Sequence, residues 1–136
     1  MSPPTFATVI NCMDGRVQLP VIQHVRETQG VDYVDVITEP GPSCILGDKT
    51  DEVLIESIRR RVEISVGKHG SRYIAVVAHH DCAGNPVDAE VQLAQVERAV
   101  ELMQNWGFEC EIVPLWIDEE WAVHVIDHAF KAALEG

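Results

Sequence analysis

Val77-Ala78-His79-His80-Asp81-Cys82-Ala83-Gly84 joins an apolar run to a His-x-x-Cys pair and then to a glycine. The run begins at Tyr73 and continues through Ile74, Ala75 and Val76 without a charge. Apolar side chains at successive rather than alternate positions are the pattern of a strand covered on both faces, as in a parallel sheet with helices above and below. Such a strand delivers whatever follows it to the carboxyl edge of a sheet. Here it delivers imidazole and thiol.

A second piece has the same design. Phe6-Ala7-Thr8-Val9-Ile10 is apolar and rich in β-branched residues, and it runs into Asn11-Cys12-Met13-Asp14-Gly15-Arg16. In an open parallel sheet, ligands bind beyond the carboxyl ends of the strands, where successive crossovers leave for opposite faces. If the first strand is central, with the second on one side and the third on the other, that crevice opens between Cys12 and the His79–Cys82 loop. Periodicity does not fix the strand order, so this placement is an expectation.

The rest of the chain supplies the alternating partners. Val21, Ile22 and Val25 stand at helical spacing before Gly30, a residue suited to end a helix. Residues 31–37 read as a strand interrupted by Asp32 and Asp35, which suits an edge, and residues 38–43, with a glycine and two prolines, read as a turn or loop. Over residues 51–67, Leu54, Ile55, Ile58 and Val62 predict a helix that turns Arg59, Arg60 and Glu63 to water. Asp88 is placed to cap a long helix with a stripe of Ala89, Leu93, Val96, Val100 and Met103, ended by Gly107. Residues 112–116 form a fourth strand, whose Pro114 argues for an edge, and residues 119–134 a closing helix. Strands alternating with helices predict an α/β fold: a single domain over residues 1–136, with a mostly parallel sheet of four or five strands and helices on both faces.

Composition narrows the function. A formal net charge of -12 repels phosphate backbones and anionic lipid surfaces, so neither nucleic acid nor membrane is an expected partner. The run Arg59-Arg60-Arg61 reads as a solvated helix face. No apolar stretch approaches the roughly 20 residues of a membrane helix, and the start Met1-Ser2-Pro3-Pro4 lacks the charged and apolar parts of a signal peptide. The expected location is the cytoplasm, where the four cysteines stay reduced. Cys44 and Cys110 are expected to be plain, partly buried thiols.

Zinc takes thiolate sulfur and imidazole nitrogen in a tetrahedron, and a catalytic site keeps three protein ligands with one position open. Cys12, His79 and Cys82 supply such a set, and Gly84 can relieve the turn that aims the last two inward. Asp14 is a possible fourth ligand that would close the site, whereas Arg16 could draw that carboxylate away in a bidentate pair. Taken alone, each of these residues would be an ordinary buried thiol, a hydrogen-bonded histidine or a surface ion pair. Their conjunction at two strand ends is what points to metal. His80 is expected to pack or to hydrogen-bond behind the ligands, with proton shuttling at the mouth as the alternative. His124 and His128, four apart on the closing helix, lack a third ligand nearby.

The two clusters together resemble the β-class carbonic anhydrases, a family marked by Cys-x-Asp-x-Arg after its first strand and His-x-x-Cys after its third. Here these read Cys12-Met13-Asp14-Gly15-Arg16 and His79-His80-Asp81-Cys82. The resemblance implies a zinc lyase interconverting carbon dioxide and bicarbonate through a zinc-bound hydroxide, with Cys12, His79 and Cys82 as ligands and Asp14 and Arg16 as a catalytic dyad. It also implies a homodimer or higher homo-oligomer, for which a free sheet edge and apolar helix faces are suited. Two places depart from the family pattern. Thr38-Glu39-Pro40-Gly41 stands where Arg-Asn-Ala-Gly is usual, and Ala83 precedes Gly84 where a glycine usually follows the cysteine at once. Two alternatives follow: a hydrolase of a related small molecule such as carbonyl sulfide or carbon disulfide, and a non-catalytic zinc-binding module with Asp14 on the metal. The acidic Glu39 near the mouth favours the module, because it would repel bicarbonate.

Overall fold

β1 (Phe6–Cys12) leads through a 3-10 turn (Gly15–Val17) into α1 (Gln18–Gln29), and β2 (Tyr33–Glu39) is followed by α2 (Pro42–Gly47) and α3 (Glu52–His69) in the computed structural model, which describes residues 2–135. β3 (Tyr73–His79), α4 (Ala89–Gln104), β4 (Glu111–Ile117), β5 (Val123–Val125) and α5 (His128–Glu135) complete the chain. One sheet results, in the order β2-β1-β3-β4-β5, with four parallel strands and β5 antiparallel at the far edge. β2 is the expected edge. β1 lies between β2 and β3, so the crossovers beside it leave in opposite directions and the switch point falls where the motifs predict it.

Alternation along β1 sorts the core. Ala7 and Val9 pack with Val17, Val21 and Val25 of the α1 side, while Ile10 packs with Ile58 and Val62 of α3 and Val96 and Met103 of α4 on the other. β3 is buried at every residue, as its unbroken apolar run requires. No helix among the described residues is long and apolar enough to cross a membrane.

Several elements differ from the sequence reading. Residues 38–43 are not one loop: Glu39 ends β2, Gly41 turns the chain at φ +68, and Pro42 opens α2 at a position where its missing N–H costs nothing. α3 runs past Gly67 to His69 and is ended by Gly70 at φ +70. β4 is not an edge, because β5 covers it. Pro114 is tolerated because it lies opposite Ile126 at the end of the β5 ladder: its carbonyl accepts the Ile126 N–H at 3.0 Å, and it has no N–H to return, so the ladder stops there. The closing helix is shorter than predicted. Asp118 accepts the N–H groups of Glu120 and Ala122 at 2.9 and 3.0 Å and bends the chain into a hairpin, Trp121 sits at φ +63, and only residues from His128 are helical. His124 therefore lies on β5 rather than on one helix with His128, and it bonds Asp118 Oδ2 at 2.6 Å. Arg61 does more than face water: half-buried, its Nη2 meets Glu39 Oε2 at 2.5 Å.

Candidate metal centre

β1 and β3 end side by side, and their ends carry the candidate ligands. The ligand atoms of Cys12, His79 and Cys82 all lie within 4.8 Å of one another, with the two sulfurs 3.8 Å apart. All three residues are buried, between 1% and 4% exposed. The ring of His79 is fixed by its Nδ1, which bonds the carbonyl of His80 at 2.8 Å. That bond makes Nδ1 the protonated nitrogen and leaves Nε2 a lone pair. Nε2 is buried and has no hydrogen-bond partner among the described residues. A buried polar atom without a partner is costly, and a divalent cation between it and two sulfurs removes that cost. The residues therefore fit zinc, a tetrahedral ion that favours nitrogen and sulfur.

The sulfurs are electronically unequal. The hydrogen bond with Cys82 is the largest influence on Cys12 and holds its thiol at about 4 despite burial, aided by His79 and by the backbone at Asp14 and Gly41. Cys82 is pushed up, first by its bond with Cys12 and then by burial. Zinc takes both as thiolates, and Cys12 is the easier of the two to ionise. Burial disfavours a charged His79, but the Cys12 sulfur, the His80 carbonyl and the Asp14 charge outweigh it and raise its value.

Asp14 lies beside this cluster, not in it. Its Oδ1 accepts the backbone N–H of Arg16 at 2.9 Å and Nε at 3.1 Å, and its Oδ2 accepts Nη2 at 2.7 Å. This bidentate grip holds the carboxyl at about 2, well below the usual range, the Arg16 hydrogen bond being the largest cause. Arg16 in turn reaches Asp81, through Nη1 to Oδ2 at 3.3 Å and Nη2 to the carbonyl at 3.1 Å. Asp81 presents both groups from φ +57, so the strained residue of the His-x-x-Cys turn is Asp81. Gly84 does not relieve that turn. Its role is close approach: a Cβ there would come within 2.7 Å of Pro40, which locks this loop to the one after β2.

The sequence reading missed the residues that brace the two motifs. Gln18 Nε2 donates to the carbonyls of Cys12 and Asp14 at 2.7 and 3.0 Å. Gln92, buried on α4, takes the N–H of His79 at 3.3 Å and donates to its carbonyl at 2.8 Å. Asn85 donates to Gln95 Oε1 at 2.6 Å, and Gln95 donates to Asp48 at 2.9 Å, tying the Cys82 loop to α2. The stripe that α4 buries is Gln92, Gln95, Val96, Ala99 and Met103, rotated from the apolar one predicted. Two glutamines at helical spacing with three apolar residues were the available signal. The side chain of His80 is exposed, its ring centroid 6.4 Å from that of Trp121; what it gives the site is its carbonyl.

The comparison with known proteins agrees with this geometry. A family model described as "Putative carbonic anhydrase" matches residues 2–127. No curated protein matches the chain in sequence. Among solved structures, β-carbonic anhydrase isoform I of the protozoan Trichomonas vaginalis aligns at a TM-score of 0.54 and 17% identity, over 89% of this chain and 81% of that one. One of two tetrameric β-carbonic anhydrases of the ascomycete Sordaria macrospora aligns at 0.54 and 12%, over 90% of this chain and 80% of that one. At such identities the two structures speak for the fold, and the family model speaks for the sequence. With both motifs converging at the switch point of that fold, the chain belongs to the β-carbonic anhydrase family.

Proposed function

We propose that the protein holds one zinc ion through Cys12, His79 and Cys82 and catalyses the reversible hydration of carbon dioxide to bicarbonate. The observation that carries this reading is His79 Nε2, buried without a partner and facing two thiols, beside a carboxylate already engaged elsewhere. Bound there, zinc would supply water acidified to a pKa of roughly 7 at an electrophilic site. The chain's residues supply the rest. Cys12 and Cys82 bring negative charge and fix the ion's place, and His79 is held in the required tautomer by the His80 carbonyl. Arg16 keeps Asp14 ionised and turned aside, so the carboxylate is an acceptor for a reacting O–H rather than a fourth ligand.

The non-catalytic module is the weaker reading. It needs Asp14 on the metal, whereas Asp14 is held by Arg16, and its second support, the free charge of Glu39, is offset by Arg61. Hydrolysis of carbonyl sulfide or carbon disulfide would use the same residues, and no observation favours it over hydration. We also propose a homo-oligomer, consistent with the uncovered β2 edge and with the tetrameric fungal neighbour, and a cytoplasmic location, consistent with four free cysteines.

The test is zinc content of the purified protein followed by stopped-flow hydration against pH. Near-stoichiometric zinc and a rate that rises with pH to a plateau are expected. Full zinc with no hydration at alkaline pH would overturn the catalytic reading in favour of the module, and carbonyl sulfide turnover alone would favour the related substrate.

A further inference from the structure

The hairpin between β4 and β5 contributes to the Asp14–Arg16 pair from outside both motifs. The guanidinium carbon of Arg16 lies 4.5 Å from the ring centroid of Trp121, over its face. A guanidinium so placed is attracted by the ring quadrupole. Trp121 is itself held at φ +63, which is sterically disfavoured for a bulky side chain and persists only when the surroundings impose it. The surroundings are visible: the Trp121 N–H bonds the Asp118 carbonyl at 3.0 Å, and the Asp118 side chain takes the N–H groups on either side of it and His124. Val123 and the half-buried indole pack on the α1-side core. A strained, braced aromatic is thus aimed at the one cation that grips Asp14.

We propose that Trp121 is a positioning residue for the Asp14–Arg16 pair: its indole face fixes the guanidinium where it can take both carboxylate oxygens, and so keeps Asp14 turned from the Cys12–His79–Cys82 cluster. Asp81 completes the clamp from the neighbouring strand end, bonding the guanidinium through its carboxylate and its carbonyl. The three sides come from three segments, after β1, after β3 and after β4, so the orientation of Arg16 reports the assembly of the whole carboxyl edge. This inference rests on the proposed role of the pair, but its test does not require turnover.

The test compares Trp121→Phe, which keeps a π face, with Trp121→Leu, which keeps apolar bulk without one. In the full-length, zinc-loaded protein, the heteronuclear NOE of the Arg16 Nε–H, assigned by its loss in Arg16→Lys, reads whether the guanidinium is immobile. High values are expected in wild type and Trp121→Phe, and loss to the value of the exposed Arg60 in Trp121→Leu. Hydration should follow, with kcat falling about fivefold in Trp121→Leu at unchanged KM and recovering in Trp121→Phe. If Trp121→Leu fails to fold, Trp121→Gly, which removes both ring and strain, makes the same comparison. An immobile Arg16 in a folded variant without the ring would overturn the proposal, because Asp14 and Asp81 would then suffice. A wild-type protein that shows the NOE pattern but no hydration would remove the catalytic reading and leave this inference standing.

Discussion

In the proposed site Arg16 decides whether Asp14 is an acceptor or a ligand, and the difference is measurable. Arg16→Ala takes the guanidinium from both carboxylate oxygens and leaves only the backbone N–H on Oδ1, so hydration should fall by about 10- to 100-fold with zinc content retained; unchanged activity would remove the dyad. Cys82→Ser takes one of two sulfurs from the cluster, and zinc content should drop with stability. A ligand present at a thousandfold over its dissociation constant stabilises by about 4 kcal/mol, which sets the scale of loss in thermal unfolding. Full zinc occupancy in that variant would show that Cys82 is not a ligand. At this scale the convergence of Cys12, His79 and Cys82 was legible in the sequence, because both motifs follow apolar strands and so fall at the same edge of the sheet. Gln92 and Gln95 were not, since a buried amide is recognisable only by the partner it meets, and those partners, the backbone of His79 and the side chains of Asn85 and Asp48, come from other segments.

Elements carry the placement, and their weak points are contacts without spare room. A Cβ on Gly47 of α2 would lie 2.2 Å from the Gln95 carbonyl oxygen of α4, so Gly47→Ala must push the two helices apart. A loss of about 1 to 3 kcal/mol is expected in urea unfolding, and a neutral effect would mean that α2 shifts freely. The β4–β5 hairpin depends on Asp118. Its carboxyl is held below the usual range, by the His124 hydrogen bond first, so its contribution is complete above the ordinary carboxylate value and is lost as pH falls through the depressed one. Asp118→Ala should therefore cost about 1 to 2 kcal/mol near neutral pH, and the gap from wild type should close in strong acid. A gap unchanged with pH would assign the effect to packing instead. This hairpin was also the least legible element. Trp121, Val125, Ile126 and Phe130 satisfy a helical period, and periodicity cannot register that Asp118 captures the backbone of the next turn. Pro114 misled for a related reason: a proline marks only the side its nitrogen faces, and here that side adjoins β5 where its ladder ends.

At the scale of the whole molecule, alternation of elements made the parallel sheet legible but not its strand order; β1 between β2 and β3 was a condition of the sequence reading, and the sheet has that order. β2 remains an uncovered edge with Tyr33 exposed, so light scattering should give an integer multiple, two or more, of the chain mass. A single-chain mass at micromolar concentration would count against the assembly. The central claim is that one ion joins the two strand ends, and zinc-edge X-ray absorption on the purified protein tests it most directly. A first shell with two sulfurs at about 2.3 Å and nitrogen at about 2.0 Å is expected, losing one sulfur or all zinc in Cys12→Ser. A zinc-free protein, or zinc bound without sulfur, would contradict it.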